Sequence, residues 1–162
     1  MSTKNSKEII AEYEKKLYDL RQLLEISMSL CSVLDFSTLT ESILYICMCQ
    51  MRVLGAGIFI SKNMDNNTFT LDNTFNGLEP REDVTYSILK DSPIAILLEE
   101  KHCPLTLTEI KDSLPESVNL TALETLHPSL IVPLIHRNKV NGILIMGERI
   151  DLGEGTSYSD YD

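Results

Sequence analysis

Residues 129–147 place the strongest constraint on the fold. Two apolar runs, Ser129-Leu130-Ile131-Val132-Pro133-Leu134-Ile135 and Ile143-Leu144-Ile145-Met146-Gly147, flank the polar stretch His136-Arg137-Asn138-Lys139-Val140-Asn141-Gly142. Runs of this length on either side of a turn pair as an antiparallel hairpin. Neither alternates apolar with polar residues, so both faces of the hairpin have to be covered by other parts of the chain. A sheet with a layer on each side follows, and the rest of the sequence must supply those layers.

The N-terminal part supplies helices. Ile10, Tyr13, Leu17, Leu20 and Leu24 step by threes and fours, the a/d spacing of a helix with an adhesive seam. Such a seam either joins a second copy or docks on its own domain. Glu8, Glu12, Glu14, Lys15, Lys16 and Arg21 form its solvated side, with some i,i+4 pairing. Asp35 or Ser37 can cap a second helix running to about Arg52. Its stretch Ile43-Leu44-Tyr45-Ile46-Cys47-Met48-Cys49 is apolar nearly all round, as for a helix held between a sheet and a neighbour.

After Gly55-Ala56-Gly57 a first strand is expected over 58–61, and the turn formers of 62–67 lead into a second. There Phe69, Leu71, Asn73 and Phe75 share one face, and Thr70, Asp72, Thr74 and Asn76 the other. Ser92 and Pro93 predict the cap and first position of a helix reaching about His102. Pro104-Leu105-Thr106-Leu107 reads as a short edge strand. Apart from these two elements, 78–128 reads as an irregular lid on the sheet face opposite helices one and two, enclosing a chamber for a small molecule.

The length of 162 residues fits one domain with a helical extension. Lys plus Arg number 14 against 24 Asp plus Glu, a formal charge of −10, which opposes binding to nucleic acid or to an anionic membrane. No signal-peptide pattern and no apolar run long enough for a bilayer is present, so a cytoplasmic protein is expected, with Cys31, Cys47, Cys49 and Cys103 as thiols. Cys47 and Cys49, two apart on a helix, point about 200° from each other and cannot grip one ion. No Cys-x-x-Cys, His-x-x-x-His, phosphate loop or Ser/His/Asp constellation appears, so neither a metal site nor catalytic residues are expected.

Ile131-Val132-Pro133-Leu134, the polar turn and Gly142-Ile143-Leu144-Ile145-Met146-Gly147 resemble the signature hairpin of the GAF domain family, the small-molecule and cofactor-sensing modules of many signalling proteins. The helix from Asp35, the Gly-Ala-Gly entry to the first strand and the Ser92-Pro93 helix are similar in order and spacing. The ending Gly142 to Arg149, before Tyr158-Ser159-Asp160-Tyr161-Asp162, is similar to bacterial modules in front of diguanylate cyclase, phosphatase or histidine kinase outputs.

The resemblance implies an α+β fold, a three-layer α/β/α arrangement with a central antiparallel sheet of five to six strands ordered 2-1-5-4-3 in a five-strand count. The N-terminal helices take one face and the lid the other. It divides the chain into a helical extension over 1–20 and a GAF-like domain over 21–162, whose closing C-terminal helix is missing or truncated. From that topology Phe59 and Phe75 on neighbouring strands, with His127 and Ser129 at the entry to the fourth strand, are the candidate pocket residues. The plainer alternative is core aromatics and a surface histidine.

The expected function is a non-catalytic sensory or regulatory domain that binds an unidentified small molecule, forms a homodimer through Ile10, Tyr13, Leu17, Leu20 and Leu24, and acts on an output domain in a longer chain. No cofactor is named by the sequence. The alternatives are a ligand-free dimerisation module and a thiol redox enzyme of the free methionine sulfoxide reductase type. Only Cys103 lies on the lid side in this reading, so a resolving partner is lacking. His127 has no adjacent cysteine for covalent bilin attachment, and Asn138-Lys139 sits in the hairpin turn rather than after the last strand, which argues against cyclic GMP.

Overall fold

In a computed structural model of the chain, residues 2–31, 35–63 and 65–151 are described. They fall into two compact units, Met1–Ser42 and Ile43–Asp162. In the first, α1 (Ser2–Cys31) is one helix of 30 residues. Helix α2 (Phe36–Met51) begins where the sequence places its cap: the Asp35 carboxylate accepts from the Thr38 N–H and hydroxyl, both at 2.9 Å. These bonds, the backbone one foremost, hold the Asp35 carboxyl below the ordinary carboxylate range.

The second unit is organised by its sheet. Strands β1 (Ala56–Ile60), β2 (Thr68–Leu71), β3 (Ser87–Leu89), β4 (Leu130–His136) and β5 (Lys139–Met146) pair antiparallel in the order β3-β2-β1-β5-β4. Every residue of β5 from Gly142 to Met146 is buried. Ile143 and Ile145 join Phe59, Phe69 and Ile131 in one core. Leu144 and Met146 join Ala56, Ile58 and Val53 in another, under Leu44, Cys47 and Met48 of α2. The unbroken apolarity of the hairpin therefore reflects two cores, one per face.

The layer over the first core contains α3 (Pro93–Lys101), α4 (Leu107–Ser113) and α5 (Thr121–Glu124). Helix α3 has the expected start: Ser92 Oγ accepts from the Ala95 N–H at 3.3 Å, with Pro93 in the first turn. It ends at His102 in the left-handed conformation. Glu99 on α3 reaches the β4–β5 turn, accepting from Lys139 Nζ at 2.7 Å and the Val140 N–H at 3.2 Å. In that two-residue turn Arg137 and Asn138 both have positive φ, the conformation whose twist matches a tight hairpin.

Three expectations need correction. The second strand does not run to Asn76: Asp72 turns its carboxylate onto the Thr74 hydroxyl and N–H, at 2.6 and 3.2 Å, and this local bonding replaces the ladder. Pairing resumes only at Asn76, which exchanges both backbone bonds with Ala56. The proposed strand at Pro104-Leu105-Thr106-Leu107 is a single bridge, Leu105 to Ile131, because Thr106 opens α4 in a capping box with Glu109. That bridge keeps the segment beside β4, as the expected order requires. The lid, finally, is not irregular: it contributes α4, α5 and the edge strand β3. The expected closing helix, with Tyr158 to Asp162, lies outside the described residues.

The two edges of the sheet differ. Ile131 exchanges bonds with Leu105 at 2.8 and 2.9 Å, so odd-numbered residues in this part of β4 turn their N–H and C=O groups toward the outer edge. Pro133, next on that edge, has no N–H to leave unpaired.

The bonds from Lys139 and Val140 hold the Glu99 carboxyl below the ordinary range. A carboxyl with a depressed folded-state pKa stabilises the fold above its unfolded pKa and loses that contribution as pH falls through the folded value. Glu99→Gln is expected to be less stable than the parent at neutral pH, with the difference closing below the ordinary carboxylate range. Urea denaturation of both proteins across that range measures it.

Candidate functional site

The chamber expected between lid and sheet face is filled. Phe59, Ile131, Ile143 and Ile145 are each 0% exposed, and they pack with Leu98, Ile110 and Leu123 from the covering helices. A cavity of about 740 Å³ lies against β3, the first turn of α3 and residues 117–123. It touches Ser87, Ile88 and Leu89 alike. Side chains of successive strand residues point to opposite faces, so a cavity bordering all three lies beyond the strand's outer edge.

Local chemistry fixes each wall. The Ser92 N–H donates to the Leu89 carbonyl at 3.1 Å, turning the chain from β3 into α3. Asn119 Oδ1 accepts from the Thr121 N–H at 2.9 Å at the start of α5, and Lys111 of α4 pairs with Glu124 of α5 at 2.9 Å. Tyr86, just before β3, joins two segments that border the cavity's neighbouring cleft: its hydroxyl accepts from the Arg81 N–H at 2.8 Å and lies 3.1 Å from the Thr125 hydroxyl.

The lining is apolar with a polar rim of hydroxyls and one carboxamide, and it contains no Lys, Arg or His. Its one charged residue, Asp83, accepts from Arg81 Nε at 2.9 Å. This bond holds the Asp83 carboxyl below the usual range and raises the Arg81 guanidinium. The cavity can hold an apolar body with hydrogen-bonding groups, and it offers no cation to a phosphate.

The four sequence candidates are not gathered there. Phe59 is core, Phe75 packs on that core, and the Ser129 N–H donates to the Met146 carbonyl at 2.8 Å. His127, exposed and in the left-handed conformation, borders a smaller cleft of about 430 Å³ near Gly77 and Gly147. The seam residues Ile10, Tyr13, Leu17, Leu20 and Leu24 of α1 are all 55–65% exposed.

The residues that do line the cavity gave only faint sequence signals. Thr106-Leu107-Thr108-Glu109 is a legible capping box that would have placed α4, but the three-residue β3 is too short for periodicity to reveal. Among the described residues no group of three or more His, Cys, Asp or Glu could hold a metal, and no helix is long and apolar enough to cross a membrane. Cys47 is half-buried in the α2-side core, where burial raises its thiol pKa, whereas Cys103 is exposed after α3. The sheet separates them.

Tyr86→Phe removes two hydrogen bonds while keeping the ring. It is expected to cost about 1–2 kcal/mol, read by chemical denaturation, and to raise amide exchange at Arg81.

No protein-family model matches the chain. It is 39% identical over 153 residues to diguanylate cyclase A of Treponema denticola, a match covering 94% of this chain and 41% of that protein's length. Among solved structures it is similar to the GAF domain of an Acinetobacter phosphoenolpyruvate-protein phosphotransferase, with a TM-score of 0.54 and 19% identity over 85% of this chain and 82% of that one. It is also similar to the free methionine-R-sulfoxide reductase of Neisseria meningitidis, with a TM-score of 0.51 and 14% identity over 82% and 74% of the two chains. At these identities the structural likeness is one of fold.

Proposed function

We propose that this chain, whose fold is that of the GAF domain, is a non-catalytic sensory and regulatory module of a bacterial-type cytoplasmic signalling protein, with a diguanylate cyclase output in the same longer polypeptide. The observation that carries this reading is the 39% identity over nearly the whole chain to a diguanylate cyclase of which it spans about two fifths. In this reading a small molecule occupies the edge cavity, two copies pair through α1, and occupancy is passed on through the helices. Occupancy can act in this way only if the ligand binds two helix arrangements with different affinity.

A second reading, a dimerisation module without a ligand, is favoured by one observation: the seam of α1 is exposed along its length. Native mass spectrometry compared with the denatured mass separates the two. A reproducible extra mass lost on denaturation supports the sensor; a bare dimer transfers the function to the seam. Leu17→Glu with Leu20→Glu removes apolar burial worth about 1.5–3 kcal/mol per side chain. The variant is expected to sediment as a monomer, and an unchanged profile removes α1 from the interface. The non-catalytic assignment fails if the purified protein reduces free methionine sulfoxide and Cys103→Ser abolishes that activity.

A further inference from the structure

The free main-chain edge of β3 narrows what the cavity can hold. The Leu71 N–H donates to the Tyr86 carbonyl at 3.1 Å and the Lys90 N–H to the Asn67 carbonyl at 2.9 Å, so residues 86, 88 and 90 are turned toward β2. By the alternation of an antiparallel ladder, Ser87 and Leu89 turn their N–H and C=O groups outward, where the cavity lies. The Leu89 carbonyl is taken by the Ser92 N–H. The N–H and C=O of Ser87 and the N–H of Leu89 have no partner among the described residues.

One residue presenting both a donor and an acceptor on an open edge offers half of a reciprocal ladder pair. An extended residue flanked by two amides completes it. The volume of about 740 Å³ suits a small molecule of that kind, and Val118 and Leu123 give its side chain an apolar wall. The Asp83 carboxylate and the lack of any cation in the lining disfavour phosphate and carboxylate groups.

We propose that the cavity binds a small uncharged amide, an amino acid capped as an amide at both its amino and its carboxyl end, held by the outward N–H and C=O of Ser87. The proposal rests on the sensor reading above and names the ligand class for it.

The test is a titration of the ¹⁵N-labelled chain with N-acetyl-leucine methylamide, following backbone amide signals. The Ser87 and Leu89 amides are expected to shift saturably. The fully N-methylated analogue, which has no N–H to give, should bind about tenfold more weakly, and N-acetyl-leucine and inorganic phosphate should leave both signals in place. Ser87→Pro removes the outward donor without touching the β2 ladder and should weaken the methylamide about tenfold. If that variant does not fold, the comparison with the methylated analogue decides alone. Unmoved Ser87 and Leu89 signals, equal binding of the methylated analogue, or tighter binding of phosphate or N-acetyl-leucine would overturn the proposal. An adduct in native mass spectrometry beside unmoved amides overturns only the ligand class, a bare protein whose amides respond supports it, and a bare protein with unmoved amides overturns both readings.

Discussion

The structure of the second unit depends on the two-sided burial of β5. This strand sits inside the sheet between β1 and β4, and its residues alternate between two separate apolar cores. Each side chain fully buried there contributes about 1.5–3 kcal/mol. Because the side-chain period is two, a one-residue slip against β1 would exchange the two cores wholesale. The register Phe59 to Ile143 and Ile58 to Leu144 is thus enforced from both faces. The Glu99 bonds to Lys139 and Val140 then tether the hairpin tip to α3.

That packing also determines where a ligand can go. On one sheet face Phe59, Phe69 and Ile143 pack directly against Leu98, Ile110 and Leu123. Space remains where the short strand β3 ends the sheet and α3 turns away from it. The site is consequently lined by apolar side chains, hydroxyls and one carboxamide, with Asp83 its one charged residue. Beside it, Tyr86 holds the segments around Arg81 and Thr125 together.

Much of this architecture was legible in the sequence. The hairpin of 130–146, the cap at Asp35, the start of α3 at Ser92 and the neighbourhood of Leu105 and β4 all follow from residues whose chemistry acts locally or whose apolarity is continuous. The expectations that needed revision depended on competition between local and long-range bonding. Asp72 diverts the second strand by bonding to Thr74, and Thr106 with Glu109 turns a strand-like tetrapeptide into a helix start. The pocket residues were the least legible. Phe59 and Phe75 follow from their place on neighbouring strands of the implied topology, and Phe59 is core because the covering helices pack on it. The edge groups of Ser87 belong to the backbone and leave no mark in side-chain pattern.

The unequal edges of the sheet have a consequence for assembly. On the β4 side, Leu105 occupies Ile131 and Pro133 offers no donor, so another strand finds little to bond to. The β3 side is open, but only over three residues. A sheet that can be extended at one end alone cannot propagate: strand-to-strand contact between copies closes after a single two-fold pairing and cannot continue as a filament.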